Sequence, residues 1–340
     1  MRAMVITGTG QFKKGSGLLK KTDIAVPEPD EGEILIRVSA CGVCHTELDE
    51  IEGRTPPPRL PVTPGHQIVG VVAEARGTRF KPGDRVGIAW IYSACGRCGF
   101  CLSGRENLCA DFRATGRDAD GGYAEYMKAP EEFAYPVPAV FTAAEAAPLL
   151  CAGAVGFRSL RLARLENGGN LGLTGFGASG HLVLKTTQHL FPLSRVFVFA
   201  RSAGERRLAE EMGACWTGKA EEYSPELLDC MIDTTPAWTP VVEAMKNLKP
   251  GGRLVINAIR KEEIDKVTLL SLNYPDHLWM EKEIKTVANV TRKDVQDFLN
   301  VASDIPVKPV TKTYALEDAE TALMELKERK IRGAKVLLIG

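Results

Sequence analysis

Short runs of β-branched residues dominate the first 150 residues of the chain. The stretches GEILIRVSA (32–40), HQIVGVVAEA (66–75) and DRVGIAWI (84–91) are bounded by Gly, Pro or Asp, as strands commonly are. The KPGD stretch at 81–84 places Pro and Gly where a tight turn needs them. This part of the sequence therefore predicts a β-rich domain.

The hydrophobic pattern changes near Asn170. Short apolar runs (LGLT, VFVFA, DCMID and GGRLVINA) now alternate with helical stretches, one through Leu190 and one over 201–214. Such alternation predicts a parallel sheet with helices on both faces. The tail from about residue 290 predicts mixed structure, with a helix over 316–329 and a closing strand, KVLLI.

Length and charge narrow the class of protein. A chain of 340 residues exceeds the usual size of a single core, so two domains are expected. Its 43 basic and 43 acidic residues balance, which argues against a nucleic-acid or anionic-membrane partner. No apolar run approaches the roughly 18 residues that span a bilayer, and the N-terminus lacks a signal-peptide core, so a cytoplasmic location is expected.

Nine cysteines without a secretory signal indicate thiols and metal ligands rather than disulfides. Four of them form the loop CGRCGFCLSGRENLC, with Cys95, Cys98, Cys101 and Cys109 as possible ligands. Four thiolates at such spacing can surround one ion tetrahedrally, and closed four-cysteine sites are typical of structural zinc. An iron–sulfur cluster or free thiols are the alternatives. The loop predicts a structural zinc site with no open position for chemistry.

The stretch TGFGASGH carries a second chemical signal. Gly175, Gly177 and Gly180 have the G-x-G-x-x-G spacing, between the strand LGLT and a helix. In that context the glycines allow a tight turn, close approach of a pyrophosphate and helix–strand packing. The turn predicts a dinucleotide site that includes Ala178 and Ser179; a tight turn without ligand is the alternative.

The choice between NAD and NADP depends on the end of the next strand. Where an NAD enzyme usually has an acid that binds the ribose, this chain has Ala200, followed by Arg201 and Ser202. A guanidinium can pair with a 2′-phosphate, so Arg201, Ser202 and Arg206 favour NADP, although Glu205 adds a negative charge nearby. Alternatively, the two arginines form a solvated helix start and NAD is used.

The sequence resembles the zinc-dependent medium-chain alcohol dehydrogenases, of the branch similar to cinnamyl-alcohol dehydrogenases. The motifs that carry the resemblance span nearly the whole chain: GEILIRV, CGVCHTEL, TPGHQIVGVV, KPGDRVG, the four-cysteine loop, PLLCAGAVGFRSL and GFGASG. The resemblance implies that Cys44, His66 and Cys151 hold a catalytic zinc. A Cys2His set leaves a fourth position open for water or substrate. Taken singly, Cys151 could be a buried small hydrophobe and His66 a core histidine.

The same resemblance assigns roles to the residues around Cys44. Thr46 corresponds to the hydroxyl residue that binds the substrate oxygen and begins a proton relay. His45 corresponds to the basic residue at the coenzyme pyrophosphate. Glu47 stands where the family usually has an aspartate that orients the ligand histidine.

Three departures from the family pattern bear on the chemistry. Gln67 replaces the acid of Gly-His-Glu, which should make the zinc more electrophilic. Asp49 replaces the usual relay histidine, so protons leave through Asp49, through water or through neither. Trp90 matches a common aromatic residue of the substrate pocket, whereas Thr55 replaces a second tryptophan, which predicts a roomier pocket for aromatic or long aldehydes.

The combined expectation is an α/β protein of two domains. A GroES-like β-rich catalytic domain takes residues 1–151 and 289–340, and a Rossmann doubly wound parallel-sheet domain takes 152–288. The expected enzyme binds two zinc ions and NAD(P), interconverts primary or aromatic alcohols and aldehydes in a cleft between the domains, and forms a homodimer or homotetramer. A zinc-free quinone or enoyl reductase and a non-catalytic coenzyme-binding protein are the alternatives.

Overall fold

A computed structural model describes residues 1–305, 307–328 and 333–340 of the chain. The fold divides into two compact units. The first comprises Met1–Ala154 and Asn289–Gly340, and the second comprises Val155–Ala288.

The strands of the described residues follow one another in this order: β1 (Arg2–Ile6), β2 (Leu19–Asp23), β3 (Glu33–Val43), β4 (Ile68–Ala75), β5 (Arg85–Ile88), β6 (Ile91–Ser93), β7 (Arg113–Ala114), β8 (Tyr126–Pro130), β9 (Ala134–Pro136), β10 (Asn170–Thr174), β11 (Arg195–Phe199), β12 (Trp216–Gly218), β13 (Leu228–Asp233), β14 (Leu248–Ile256), β15 (Glu283–Thr286), β16 (Thr311–Ala315) and β17 (Ala334–Leu338).

The α-helices of the same residues are α1 (His45–Ile51), α2 (Gly99–Leu102), α3 (Ala143–Ala146), α4 (Ala152–Ala163), α5 (Ala178–Leu190), α6 (Ala203–Glu211), α7 (Thr239–Asn247), α8 (Arg292–Asp304) and α9 (Ala319–Lys327). Short 3₁₀ turns lie at Glu106–Leu108, Glu131–Phe133, Ala147–Leu150, Lys266–Ser271 and Leu316–Asp318, and a π turn lies at Tyr274–Leu278.

The first unit is built on a mainly antiparallel sheet. Its strand order is β16-β17-β3-β4-β5-β9, and β8 also pairs with β3. The long strand β3 is buried at most of its positions, with Arg37 exposed, and Ile34, Ile36 and Val38 enter one large core. The β-branched run that predicted a strand here therefore forms a largely buried strand. The ends of β3 and β4 hold the segments that carry Cys44 and His66.

The second unit contains a parallel sheet in the order β12-β11-β10-β13-β14-β15. The central strand β10 is buried throughout, as a strand covered on both faces must be. Thr174 lies beside Phe199 on one side and Asp233 on the other. The carboxyl ends of three strands therefore meet at the glycine turn, where ligands of such sheets bind.

The predicted fold class, a β-rich domain with a parallel-sheet α/β domain, is confirmed. The predicted strands correspond to β3, β4, β5, β10, β11, β13, β14 and β17. The helix expected over 316–329 begins with a 3₁₀ turn and becomes α-helical at Ala319, and residue 329 lies outside the described residues. Edge strand β15 gave no sequence signal because all four of its residues are exposed.

None of the described helices has the length and apolar character that crossing a membrane requires.

Candidate active site and metal centres

Three ligand-bearing residues from distant segments meet in the first unit. The thiols of Cys44 and Cys151 and the imidazole of His66 offer ligand atoms that all lie within 4.8 Å of one another. Cys44 immediately precedes α1, His66 precedes β4, and Cys151 ends a 3₁₀ turn. Nε2 of His66 is 3.3 Å from Sγ of Cys151. The fold thus assembles the predicted Cys2His set.

Glu47 orients this set from the first turn of α1. Its Oε2 accepts a hydrogen bond from the backbone N–H of Cys44 at 2.7 Å. Its Oε1 lies 2.6 Å from Nδ1 of His66, and both side chains are buried. With Nδ1 facing Glu47, Nε2 is the ring atom that faces the thiols. A carboxylate behind a ligand histidine is the usual arrangement in zinc sites.

The two thiols differ in how readily they ionise. The hydrogen bond between them lowers the pKa of Cys44 well below its usual range and raises the pKa of Cys151 well above it. Two thiolates and a neutral imidazole therefore require a cation at the same place. The donor set and its burial fit Zn²⁺, which prefers S and N ligands.

The other residues predicted around Cys44 differ in exposure. Oγ1 of Thr46 lies 3.6 Å from Sγ of Cys44, which places this hydroxyl beside the ligand set. His45 is exposed. Asp49, at the expected relay position, is buried, and its Oδ1 accepts from Nε of Arg54 at 2.5 Å.

Gln67 is buried and packs across Gly42. A Cβ at Gly42 would stand only 2.6 Å from Oε1 of Gln67, so the absence of a side chain there makes room for the amide. In the predicted pocket, Trp90 is half-buried with its ring 5.2 Å from that of Phe112. Thr55 is half-buried too, and among the described residues neither its hydroxyl nor the indole N–H of Trp90 has a hydrogen-bond partner.

The four cysteines of the loop converge in a second cluster. The Sγ atoms of Cys95, Cys98, Cys101 and Cys109 all lie within 4.8 Å of one another. Individual Sγ–Sγ distances are 3.5 Å for Cys98–Cys101 and 3.9 Å for Cys95–Cys101. Four sulfurs about 2.3 Å from one ion would be separated by about 3.8 Å, so the cluster fits tetrahedral zinc.

The ionisation of the cysteine thiols in this loop also favours a bound cation. Backbone N–H groups of Arg97 and Cys98 lower the pKa of Cys95 to about 6. Desolvation raises the pKa of Cys101 to about 12. The two cysteines thus differ in how readily they ionise, and a dication bound among the four sulfurs would stabilise the thiolate forms.

Replacing Cys98 with serine is expected to remove one zinc ion per chain and to lower the free energy of unfolding by about 3 kcal/mol or more, because structural zinc contributes directly to folding. Metal analysis and denaturant unfolding measure the two effects, and limited proteolysis should cut the loop. Cys215→Ser, which removes an exposed thiol, serves as the control. Unchanged metal content in Cys98→Ser would refute the four-cysteine site.

The glycine turn has a separate role for each glycine. Gly175 has φ of +81°, a conformation that side chains resist, and its N–H donates to Phe199 O at 2.8 Å. A Cβ on Gly180 would lie 2.7 Å from Gly175 O, so α5 packs closely on the turn. A Cβ on Gly177 would meet nothing within 4 Å. The space beside Gly177 is open at the N-terminus of α5, where a phosphate is favoured.

The half-buried residues Ala178 and Ser179 form the first turn of α5. In the next loop, the hydroxyl of Ser202 accepts from Glu205 N at 3.1 Å and donates to the Glu205 carboxylate at 2.8 Å. Arg206 donates to the backbone oxygens of Ala200 and Arg201, at 2.7 and 2.9 Å. The two predicted arginines therefore differ in how available they are to a coenzyme. Arg206 already donates to backbone oxygens just after β11, whereas Arg201 is exposed.

A buried ion pair that was not predicted from the sequence lies beside the glycine turn. Asp233 ends β13, is fully buried and accepts from the hydroxyls of Thr174 at 2.6 Å and Thr235 at 2.8 Å. Lys261 pairs with Asp233 and also donates to the carbonyls of Thr235 and Ala237. The acid at the end of the strand DCMID was the available signal; the lysine lies on a loop without pattern.

A second missed contact braces the four-cysteine loop. Glu106, buried within that loop, accepts from N and Nε of Arg292, at 2.8 and 3.2 Å. Arg292 begins α8, which is far away in the sequence. Nothing local in the sequence indicated this pair.

Two features of this chain are together typical of zinc-type dehydrogenases that use a dinucleotide. One is the Cys2His cluster with a carboxylate behind its histidine, and the other is the glycine turn between a parallel strand and a helix. Residues 30–139 match the alcohol dehydrogenase GroES-like domain.

Known proteins agree with this class. A probable alcohol dehydrogenase, AdhA, of Mycobacterium tuberculosis is 41% identical over 331 residues, which cover 95% of this chain and 94% of the relative. A cinnamyl alcohol dehydrogenase structure from Sorghum bicolor is 25% identical, with a TM-score of 0.83 and coverage of 99% and 96%. A cobalt- and zinc-bound thermostable alcohol dehydrogenase from Pyrobaculum aerophilum is also 25% identical, with a TM-score of 0.85 and coverage of 99% of each chain.

The chain belongs to the zinc-type medium-chain alcohol dehydrogenase family. The predicted family, enzyme class and GroES-like character of the first domain are thereby confirmed.

Proposed function

We propose that this alcohol dehydrogenase catalyses reversible hydride transfer between primary or aromatic alcohols and NAD(P), with NADP preferred. Cys44, His66 and Cys151 hold the catalytic zinc, and the four-cysteine loop holds a structural zinc. We assign the zinc-binding role to a catalytic domain of residues 1–151 and 289–340, and the coenzyme role to residues 152–288.

The observation that carries the proposal is the convergence of three soft ligand atoms within 4.8 Å. Two of them are half-buried thiols, and the third belongs to a histidine whose other nitrogen faces a buried carboxylate. A zinc-free reductase has no need for such a set, so the convergence favours a zinc enzyme over that alternative.

When bound there, zinc supplies Lewis-acid stabilisation of the negative charge that develops on the alcohol oxygen. Thr46, beside Cys44, accepts a hydrogen bond from the substrate hydroxyl and starts the proton relay, receiving that proton as it passes its own hydroxyl proton on towards water. Glu47 holds His66 in one orientation and one tautomer. Gln67, being uncharged, adds no negative charge next to His66.

NAD(P) supplies the hydride acceptor. The open space at Gly177 and the N-terminus of α5 receive its pyrophosphate. Ala178, Ser179 and Gly180 provide the first turn of that helix, and the family resemblance assigns the exposed His45 to the pyrophosphate as well. Arg201 and Ser202 face the ribose end.

The direct test is the initial rate of reduced-coenzyme oxidation with cinnamaldehyde, run in parallel with NADPH and NADH on protein of known zinc content. We expect turnover with faster rates for NADPH at subsaturating coenzyme. Faster rates with NADH would refute the preference for NADP but would leave the proposed zinc-dependent dehydrogenase activity standing. No turnover with cinnamaldehyde or aliphatic aldehydes by the zinc-loaded protein would favour a non-catalytic coenzyme-binding protein.

The NADP preference predicts an effect at Arg201. Replacing Arg201 with glutamine should raise KM for NADPH about tenfold or more and leave KM for NADH unchanged, because a charge-assisted bond to the 2′-phosphate is lost. Arg207→Gln, at an exposed position of the following helix α6, should change neither value. Equal effects of the two variants would point to general electrostatics rather than a specific contact.

A homo-oligomer is the assembly we propose, and the second unit offers a surface for it. Strand β15 is the outermost strand of its sheet, and every residue of it is exposed. Unpaired edges of this kind pair readily with another chain. Large apolar side chains are exposed on β15 and the segment before it: Ile264, Val267, Leu270, Trp279, Met280 and Ile284. A second copy of this chain, adding its own β15, would cover both features.

Replacing Ile284 with lysine should therefore weaken the oligomer and shift the protein towards monomer in sedimentation velocity, since a charge at a strand edge opposes pairing. Leu193→Lys, at another exposed apolar position, should leave the distribution unchanged. A wild-type protein that sediments as a monomer at micromolar concentration would contradict the proposal.

A further inference from the structure

The helix that begins after Cys44 contains a second buried acid that the chemistry described so far does not use. Glu50 lies one turn beyond Glu47 on α1, so the two side chains share one face of the helix. Glu50 is 1% exposed. Within the described residues, neither of its carboxylate oxygens has a hydrogen-bond partner. Burying an unpaired carboxylate is costly, so the group needs either a proton or a nearby cation.

The charges around Glu50 belong to the candidate zinc site. Burial, followed by the charges of Glu47 and Cys44, raises the pKa of Glu50 well above its usual range, and His66 and Arg117 act in the opposite direction. The guanidinium of Arg117 is engaged by Asp118 at 3.0 Å. The fully buried phenol of Tyr123 feels the charge of Glu50 and, in the described part of the chain, also lacks a partner. This interior therefore holds more negative groups than its own side chains neutralise.

A bound dication would offset only part of this negative charge. The thiolates of Cys44 and Cys151 balance the two charges of the ion, and Glu47 is committed to the ring of His66. Glu50 then remains as the free negative charge behind the site. Gln67, next to the ligand His66, is neutral, whereas the Gly-His-Glu pattern of the family has an acid at that place.

We propose that Glu50 is a positioning residue that retains the catalytic zinc through its buried charge and so replaces the acid that Gln67 does not provide. This inference rests on the proposed zinc role of Cys44, His66 and Cys151. Glu50 does not join the ligand atoms that lie within 4.8 Å of one another, so it acts on the ion by charge and not as one of its ligands. A negative charge in a low-dielectric interior attracts a nearby cation strongly even without contact.

The test is the rate at which the zinc-loaded enzyme loses its zinc to an excess of a colorimetric chelator at neutral pH. In Glu50→Gln, the zinc of the Cys44 site should leave about tenfold faster or more, the usual consequence of removing an outer partner of a metal site. Returning the acid to the neighbouring position, in Glu50→Gln/Gln67→Glu, should restore slow release. Glu52→Gln is the matched control, since Glu52 follows the same helix but pairs with Lys327 and Arg54.

Unchanged or slower release in Glu50→Gln would overturn the inference, and so would failure of the double variant to restore retention. A purely structural role would change thermal unfolding without any rescue by the acid at position 67. If Glu50→Gln does not accumulate as folded protein, Glu50→Ala removes the same charge and is measured instead. The proposed function fails separately, if Cys44→Ser leaves the zinc content unchanged.

Discussion

Replacing Cys44 with serine is expected to lower kcat/KM for alcohol oxidation about a thousandfold and to reduce the zinc content from two ions per chain to one. Serine stays protonated at neutral pH and is a poor zinc ligand, so the set of Cys44, His66 and Cys151 loses a charge as well as a bond. Loss of Lewis-acid stabilisation worth about 4 kcal/mol corresponds to that factor. Steady-state kinetics and metal analysis on the same preparation measure both effects.

Two controls make this result specific. Cys215→Ser removes an exposed thiol of the second unit and should keep both ions and full activity. Cys98→Ser also removes one ion but should act first on stability, because its cluster has no open position for substrate. A Cys44→Ser enzyme with wild-type kcat/KM would show that the Cys2His cluster does not carry the chemistry.

Replacing Lys261 with methionine should cost about 3 kcal/mol of unfolding free energy and weaken coenzyme binding. Lys261 is nearly buried and is the cationic partner of the fully buried Asp233. Its removal leaves a carboxylate in the interior without its cation, a loss of 3–5 kcal/mol for typical buried pairs. Hydrogen bonds from Thr174 and Thr235 retain part of the stabilisation. Because Thr174 adjoins Gly175, a disturbed Asp233 should also disturb the glycine turn.

Denaturant unfolding followed by tryptophan fluorescence suits this measurement, because Trp216, Trp238 and Trp279 all lie in the second unit. Lys249→Met removes the partner of Asp229 in an ion pair whose side chains are about 40% exposed, and should change stability by less than about 1 kcal/mol. The double variant Lys261→Met/Asp233→Asn should recover much of the loss, since no charge remains buried. Equal losses in the two single lysine variants would refute the role of burial.

Local sequence determined those parts of the site whose groups lie close together in the chain. The four-cysteine loop has its ligands within fifteen residues, and a short loop with turn-forming glycines has few other ways to fold around an ion. The turn from Thr174 to Gly180 likewise depends on backbone freedom at individual glycines, and the positions of glycines can be read directly from the sequence. Strands β3, β4 and β10 were predictable because their burial follows the hydrophobic pattern.

The pairing of distant segments was beyond such reasoning. Cys44, His66 and Cys151 could be grouped only through family resemblance, because no local pattern marks a single half-buried cysteine or a single buried histidine as a ligand. The exposed strand β15 and the short strand β12 show no period of two. These two strands form because their backbones pair with neighbouring strands, β12 with β11 and β15 with β14.

By itself, then, the sequence determined the fold class through its hydrophobic pattern and the four-cysteine and glycine motifs through their spacing, and its resemblance to a known family indicated the enzyme class and the candidate ligands. Only the tertiary structure decided which of those residues have partners. In the folded chain, Arg206 donates to backbone oxygens, and Asp49 pairs with Arg54. Asp233 pairs with Lys261, whereas the buried Glu50 has no hydrogen-bond partner among the described residues. The physical reason is that burial and pairing depend on what the rest of the fold places beside a side chain, and no local pattern encodes that.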